Sequence, residues 1–334
     1  MKKIISCIII VFACTSLMPY VTQADAMAFN VKAILPTTQN NPDVSYFDLR
    51  LKPAAKQKIA IEMSNNTAKA ITLKTAVNTA STNSNGVIDY SASKVKQDKS
   101  MKVAIAELVT GPTQITLKAN ETKTVAYQIK MPQESFDGVL LGGFYIAKKQ
   151  DEQMNETEEK QQIKNEFSYV IGLKISNTDK KIIPKLALNA IATTEKNDKT
   201  LIAATLRNTQ AAIISGLKIE AKLTKKGSEK TIVTLKKEQL GMAPNSAFSL
   251  PIDLEKRALS NGEYTLTVAA SDKTNNKWQL TKDFTVSQAV TAHEEQTTTP
   301  KQAFPWTLTI SVGIIVIALI VVLVLVIVRK NKRN

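Results

Sequence analysis

The sequence predicts an all-β protein in which two Ig-like β-sandwich domains follow each other in tandem, between an N-terminal signal peptide and one C-terminal transmembrane helix. Three observations favour this architecture. Apolar and polar residues alternate with a period of two over most of the chain, turns rich in Asn, Gly, Pro and Asp separate the alternating stretches, and an uncharged apolar run lies near each end. Many short strands with one buried face and frequent turns are typical of sandwiches.

The alternation occurs in both halves of the chain. The alternating stretches are 59–63, 71–77 and 125–131 in the first half and 217–223, 248–254, 264–270 and 278–286 in the second. Between two such stretches, Asn85-Gly86 predicts a β-hairpin with a type I′ turn, since that turn needs positive φ at both central residues.

Residues 1–26 predict a signal peptide. Met1-Lys2-Lys3 is a basic n-region, residues 4–18 form an apolar h-region, and Ala24-Asp25-Ala26 matches the small-x-small pattern of a cleavage site. A second transmembrane helix and a lipoprotein signal at Cys14 stay open as alternatives. Cleavage after residue 26 removes Cys7 and Cys14, the chain's two cysteines, so we expect no disulfide and no cysteine metal site in the mature protein.

The uncharged run 306–328 predicts a membrane anchor. It starts at Trp306, an aromatic residue of the kind that lies at membrane interfaces, and Arg329 and Lys330 follow it in a short basic tail, 329–334. Such a helix is about 35 Å long and crosses a hydrocarbon core of about 30 Å. Because Lys and Arg beside a span stay on the cytoplasmic side, we expect residues 27–305 to lie outside the cell, within the cell wall.

The extracellular segment suits two domains. We predict a first domain over 27–150, a charged linker over 151–166, a second domain over 167–287 and a polar stalk over 288–305. The alternative is that the linker is an insertion within the first domain, with 139–147 and 167–175 as neighbouring strands. In that case the first domain extends to about Ser176.

The residue inventory argues against catalysis. The chain has one histidine, His293 in the stalk, so we expect no Ser-His-Asp triad, no zinc site and no cofactor. Gly142-Gly143 lies in an apolar strand-like run and predicts a close backbone approach or a bulge. A cell-wall hydrolase with an unrecognised carboxylate pair stays open as the alternative, because two well-placed acids need no sequence signature.

The chain is basic, with a formal net charge of +15. This charge suits a polyanionic cell envelope. The lysines are spread along strand-like segments and form no compact cluster with aromatic residues, so we expect no nucleic-acid partner.

Short motifs follow one another in order along the extracellular segment. They are Ser45-Tyr46-Phe47-Asp48-Leu49, residues 80–90, 131–132, 136–143 and 167–172 in the first half, and residues 242–246, 261–264, Trp278 and Phe284 in the second. Their order and spacing resemble the WxL-interacting protein family. The resemblance implies a Gram-positive surface protein whose first domain associates with peptidoglycan, whose second engages host matrix proteins, and which acts with WxL-domain surface proteins.

Five residues match the family pattern and carry groups that hydrogen-bond to sugars or stack on them. These ligand-binding candidates are Tyr46, Asp48, Asn83, Tyr90 and Asp137. The alternative is a structural role, in which the Asn and the Asp residues serve turns and the tyrosines fill sheet edges. Together the observations predict a membrane-anchored, non-catalytic cell-surface binding protein.

Overall fold

The structure is a computed structural model that describes residues 28–92, 96–149, 167–196, 199–254 and 257–287. The predicted signal peptide, charged linker, stalk, membrane helix and basic tail, with Trp306, Arg329 and Lys330, lie outside the described residues. In these ranges no helix has the length and apolar character needed to cross a membrane. All described residues belong to one compact unit, 1–292.

The first sandwich contains nine strands. They are β1 (Phe29–Ile34), β2 (Phe47–Arg50), β3 (Lys56–Asn65), β4 (Ile71–Thr79), β7 (Val109–Thr110), β8 (Gln114–Leu117), β9 (Thr122–Lys130), β10 (Leu140–Lys148) and β11 (Ser168–Ser176). One sheet has four strands in the order β1-β3-β9-β7, and the other has five in the order β2-β11-β10-β4-β8. A two-stranded hairpin, β5 (Ser81–Thr82) and β6 (Ile88–Asp89), and a helical turn, α1 (Ile105–Leu108), lie between β4 and β7.

The core of the first sandwich confirms the predicted alternation. Ile59, Ile61 and Met63 of β3 are all buried, while the residues between them are only half-buried. Phe144 packs edge-to-face against Tyr127 and Phe47 at ring distances of 4.7 and 6.0 Å. Such aromatic pairs add about 0.5–1.5 kcal/mol each beyond the area they bury.

Strand β11 completes the five-stranded sheet of the first sandwich. It pairs antiparallel with β10, where Gly143 lies opposite Gly172, and parallel with β2. Ile171, Leu173 and Ile175 of β11 are buried in the first core. The sequence left open the alternative that 139–147 and 167–175 are neighbouring strands of the first domain. The observed pairing agrees with this alternative and differs from the expectation that residue 167 begins the second domain. The first sandwich therefore extends to Ser176.

The second sandwich contains seven strands. They are β12 (Leu186–Lys196), β13 (Lys199–Asn208), β14 (Ile214–Lys225), β15 (Thr231–Met242), β16 (Ser246–Asp253), β17 (Gly262–Ser271) and β18 (Lys277–Val286). The sheets have the orders β12-β13-β16 and β15-β14-β17-β18. Its core confirms the alternation predicted for this half, from Leu217 to Val286. The Tyr264 hydroxyl donates to the Ser260 carbonyl at 2.8 Å, as the tyrosine corner of Ig-type sandwiches does.

The β5–β6 hairpin forms at the predicted Asn85-Gly86 site, but the type I′ turn is wrong. Gly86 has φ of +71° and Asn85 is not among the residues with positive φ. Gly86 N–H donates to the Asn83 carbonyl, and the Asn83 side-chain oxygen accepts from the N–H groups of Asn85 and Val87. These side-chain bonds stabilise a turn with one left-handed residue in place of two.

The hairpin and its neighbouring loops join the two sandwiches. Gly86 accepts a hydrogen bond from Gly241 N–H at 2.7 Å, and Val139 N–H donates to the Ala211 carbonyl at 2.8 Å. Thr82 Oγ1 and Ser246 Oγ lie 2.6 Å apart. A small apolar cluster around Ala80, Leu141 and Ala243 is buried beside them. The junction is therefore a packed and hydrogen-bonded interface.

An ion pair also crosses this junction. Arg207 of β13 donates from Nε and Nη2 to the two carboxylate oxygens of Asp98, at 2.6 and 2.7 Å. The Asp98 side chain is only 5% exposed, and Ser100 N–H and Oγ also donate to it. Hydrogen bonds from Arg207, aided by those from Ser100, hold the pKa of Asp98 well below its usual range, although burial acts in the opposite direction.

Candidate binding face on the five-stranded sheet

The outer face of the five-stranded sheet brings together three of the five candidates. Phe47 and Leu49 of β2 point into the core, so the alternating residues Tyr46 and Asp48 lie on the opposite face. On β11 the same rule places Val170, Gly172 and Lys174 outward, because the residues between them are core residues. Tyr90, which follows the hairpin, lies over the same face.

Two glycines form the floor beneath the tyrosines. Gly143 and Gly172 face each other across β10 and β11. A Cβ added to Gly172 would be 3.4 Å from the Tyr46 Cβ, and one added to Gly143 would be 3.1 Å from the Tyr90 Cδ1. The bare backbone therefore lets the two tyrosines lie close against the sheet. We call this surface, formed by Tyr46, Tyr90, Gly143, Gly172 and Val170, the tyrosine face.

The glycine pair shows a close approach and no bulge. The pairing of β10 with β11 and with β4 runs without a register shift. The inward glycine, Gly142, lies against Ile105 and the Asn78 backbone. Of the two options that the sequence left for Gly142-Gly143, the close approach is confirmed.

Side-chain amides anchor the backbone of both tyrosines. Gln39 Nε2 donates to the Tyr46 carbonyl at 2.8 Å, and Asn78 Nδ2 donates to the Tyr90 carbonyl at 2.7 Å. The same Asn78 group donates to the Ser91 carbonyl at 3.2 Å. The tyrosines are therefore held in place at the backbone, which reduces the entropy lost when a ligand orders them.

The tyrosine face is apolar and accessible. Tyr46 is 36% exposed and Val170 is 44% exposed, which makes both of them exposed large hydrophobic residues. Burial raises the pKa of the half-buried Tyr90, and the neighbouring Tyr46 raises it further. The Tyr90 hydroxyl consequently stays neutral and able to donate at physiological pH.

An ion pair borders the tyrosine face. Lys174 Nζ lies 3.1 Å from Asp48 Oδ2, and Asp48 is 3% exposed. Its other oxygen, Oδ1, is buried and has no hydrogen-bond partner among the described residues. Without Lys174 the carboxylate would be buried and unpaired, which is costly. The Asp48 carboxylate therefore lies fixed at the edge of the tyrosine face, with its charge balanced by Lys174.

The remaining two candidates lie elsewhere. Asn83 stabilises the hairpin turn that contacts the second sandwich, as described above. Asp137 is exposed and accepts from Lys180 Nζ at 2.6 Å and from Thr178 Oγ1 at 3.3 Å. The bond from Lys180 lowers the pKa of Asp137. The structure thus groups Tyr46, Asp48 and Tyr90 and separates Asn83 and Asp137 from them.

Sequence reasoning missed the β11 residues of this face. Val170 and Lys174 were not among the candidates, and Gly172 appeared only within a motif. The signal for them was the alternation on β11, whose inward residues Ile171 and Leu173 leave Val170 and Gly172 on the outer surface. Only the pairing of β11 with β2 shows that this surface continues to Tyr46.

The described residues contain no group of three or more His, Cys, Asp or Glu side chains that could hold a metal ion. The fold defines a class of all-β proteins built from two β-sandwich domains in tandem.

The chain belongs to the WxL Interacting Protein family, which confirms the resemblance found in the sequence. Residues 29–148 match the peptidoglycan binding domain of this family, and residues 158–295 match its host binding domain. The second match includes β11, although this strand pairs within the first sandwich. The boundary between the matches therefore lies inside the first sandwich.

Several solved structures of bacterial chaperones are similar to this chain. An E. coli chaperone, DraB, is 12% identical, with 78% of this chain and 98% of that chain covered and a TM-score of 0.28. The Pseudomonas aeruginosa CupB2 chaperone is 10% identical, with 71% and 97% covered and a TM-score of 0.28. No curated protein matches the chain.

Proposed function

We propose that this protein is a membrane-anchored, non-catalytic cell-surface binding protein whose first sandwich binds peptidoglycan through the tyrosine face. One observation supports the choice of face. Two tyrosines lie side by side on a glycine floor, within a sandwich whose first part matches a peptidoglycan binding domain.

The chemistry of tyrosine suits a polysaccharide. A sugar ring has an apolar face of C–H groups and a rim of hydroxyls, and a tyrosine side chain has an apolar ring and a hydroxyl at its tip. Tyr46 and Tyr90 present both features on one side of the sheet. The predicted extracellular segment 27–305 keeps 38 of the 44 Lys and Arg and 28 of the 29 Asp and Glu, and its excess of positive charge adds a long-range attraction to an anionic wall.

The other parts of the proposal come from the sequence and the family. The signal peptide and the 306–328 helix would export the chain and keep it at the membrane, with the sandwiches in the wall. The second sandwich, whose strands all lie within the match to the host binding domain, would bind a host matrix protein. WxL-domain surface proteins would be its partners on the bacterial surface.

A sedimentation assay with purified peptidoglycan tests the central claim. The segment 27–287 should pellet with insoluble peptidoglycan, and Tyr46→Ala should weaken this binding about tenfold, which corresponds to about 1.4 kcal/mol. Ile34→Ala is the matched control, because Ile34 is 41% exposed and lies on the other sheet. Equal binding of Tyr46→Ala and the wild type would refute the choice of face.

The same assay separates binding from hydrolysis. A binding protein leaves the peptidoglycan intact, so the supernatant should contain no soluble muropeptides after incubation. Muropeptide release that a single Asp or Glu substitution abolishes would instead support the cell-wall hydrolase.

A further inference from the structure

We infer that the peptidoglycan site is a composite, in which Tyr46 and Tyr90 lie against β11 residues from beyond the matched peptidoglycan binding domain, and that it takes the glycan strand of peptidoglycan. The inference rests on the proposed function and adds two statements to it. Gly172 and Val170 of β11 are binding-site residues, and the sugar backbone is the part of peptidoglycan that they contact.

The sheet order makes β11 indispensable to the face. In the five-stranded sheet, β2 is an edge strand whose neighbour is β11, and β10 lies on the other side of β11. Tyr46 directly precedes β2, so Gly172 of β11 lies between Tyr46 and Gly143, the glycine under Tyr90. Residues 29–148 alone contain both tyrosines but not the strand that sets their separation.

Gly172 and Val170, on the outward side of β11, form an uncharged ledge. Gly172 leaves space beside Tyr46. A Cβ added to Gly143 would lie 3.3 Å from Val170 Cγ1. Val170 therefore flanks Gly143, the glycine that lies under Tyr90. Val170 is 44% exposed. The ledge lies beside Tyr46 at Gly172 and beside Tyr90 at Gly143, and we call the ledge and the two tyrosines the apolar strip, whose chemistry matches the C–H face of pyranose rings.

The charges around the strip argue for the glycan over the stem peptide. A stem peptide carries carboxylates, which need an available cation. Lys174, the outward cation of β11, is committed to the buried carboxylate of Asp48 at 3.1 Å. Withdrawing it would leave that carboxylate buried and unpaired. The strip itself, formed by Tyr46, Tyr90, Gly143, Gly172 and Val170, therefore offers a ligand uncharged side chains and two hydroxyl groups.

Two substitutions at Gly172 test the ledge. In Gly172→Ala the new Cβ stays 3.4 Å from the Tyr46 Cβ, an ordinary van der Waals contact. In Gly172→Val the methyl groups extend about 1.5 Å further and push the Tyr46 ring away from the sheet, while the β-branched residue suits a strand. We expect Gly172→Val to bind peptidoglycan about tenfold more weakly and Gly172→Ala to bind within about twofold of the wild type.

A second variant keeps the test independent of Tyr46. Val170→Ser removes the exposed apolar side chain at the end of the strip and should weaken binding about threefold, while Ile34→Ser on the other sheet should have no effect. Thermal unfolding of each variant shows whether it is folded.

A competition experiment identifies the part of peptidoglycan that binds. A soluble N-acetylglucosamine hexamer should displace the protein from peptidoglycan, and a synthetic stem pentapeptide should not.

The outcomes separate the two levels of the proposal. If the wild type does not pellet with peptidoglycan, the proposed function fails. If the wild type pellets but folded Gly172→Val and Val170→Ser bind equally well, the composite site is refuted and the proposed function stands. If the pentapeptide competes and the hexamer does not, the glycan assignment is refuted. If the variants kept their binding to peptidoglycan but lost binding to a WxL-domain protein, the strip would be a protein-binding surface and the composite peptidoglycan site would be refuted.

Discussion

Replacing Arg207 with alanine should uncouple the two sandwiches. Arg207 belongs to the second sandwich, and its two hydrogen bonds to Asp98, at 2.6 and 2.7 Å, reach a loop of the first. The Asp98 side chain is 5% exposed and that of Arg207 is 23% exposed. Removing Arg207 therefore leaves a buried carboxylate that keeps only its bonds from Ser100.

The expected cost follows from this geometry. Breaking a buried ion pair by removing one partner costs about 3–5 kcal/mol. Because Arg207 is partly exposed and water can reach Asp98 after truncation, we expect the loss of unfolding free energy to lie at the low end of this range, about 3 kcal/mol. At about 2–4 °C per kcal/mol for a unit of this size, Tm should fall by roughly 6–12 °C.

Calorimetry of the segment 27–287 measures this effect. The wild type should unfold in one transition, because the junction couples both sandwiches, and Arg207→Ala should lower this transition or split it into two. Arg50→Ala is the matched control. Arg50 pairs with Asp179 at the surface, where both side chains are well exposed, and such pairs contribute about 0–1 kcal/mol.

A second substitution and a pH series isolate the charge. In Asp98→Asn/Arg207→Ala no buried charge remains, so the double variant should be more stable than Arg207→Ala alone. The pKa of Asp98 is lower in the folded protein than its ordinary value of about 3.9. The stability contributed by the ion pair is therefore fully present above about pH 4 and is lost as pH falls further. The advantage of the wild type over Asp98→Asn should shrink below pH 4.

One result would refute this reasoning. If Arg207→Ala changed Tm no more than Arg50→Ala does, and a single transition persisted, the ion pair would contribute nothing to the junction. The apolar cluster around Ala80, Leu141 and Ala243 would then carry the coupling by itself.

Three further predictions concern the first sandwich. Phe144→Ala should cost about 3–5 kcal/mol in urea unfolding, since Phe144 is fully buried and contacts two rings; a cost under about 1 kcal/mol would contradict this packing. Gly142→Ala should cost more than about 1 kcal/mol, because its Cβ meets Ile105 and the Asn78 backbone, and an unchanged urea midpoint would show that the site has room. The fragment 27–177 should give a dispersed amide NMR spectrum and the fragment 27–149 should not, because the shorter one lacks β11 and its buried Leu173; a dispersed spectrum from 27–149 would show that β11 is dispensable.

The strands with an alternating sequence were predictable because each has one buried face; they are β3, β4, β9, β14, β16, β17 and β18. Alternation identifies such a strand from its own residues, as in β3 with Ile59, Ile61 and Met63, and it needs no knowledge of the neighbouring strands. The turn at Asn85-Gly86 was predictable in position but not in type. Its type depends on Asn83, whose side-chain bonds compete with the intrinsic preference of the Asn-Gly pair.

The candidate face was predictable only in part. Tyr46, Asp48 and Tyr90 were chosen because they match the family pattern and carry groups that hydrogen-bond or stack, and they share one face. Asn83 and Asp137 were chosen on the same grounds and lie apart from it, because residue type carries no information on which strands become neighbours. The assignment of β11 was open for the same reason, since its alternation suits either sandwich.

The sequence by itself determined that the chain is all-β, that it has two cores, and which family it belongs to, because alternation and short motifs are local properties. Only the tertiary structure decided that β11 lies between β2 and β10, that the two glycines meet beneath the tyrosines, and that Arg207 reaches Asp98 across the junction. These contacts join residues far apart in the chain. Their geometry arises from strand pairing and packing, which the order of residues specifies only through the complete fold.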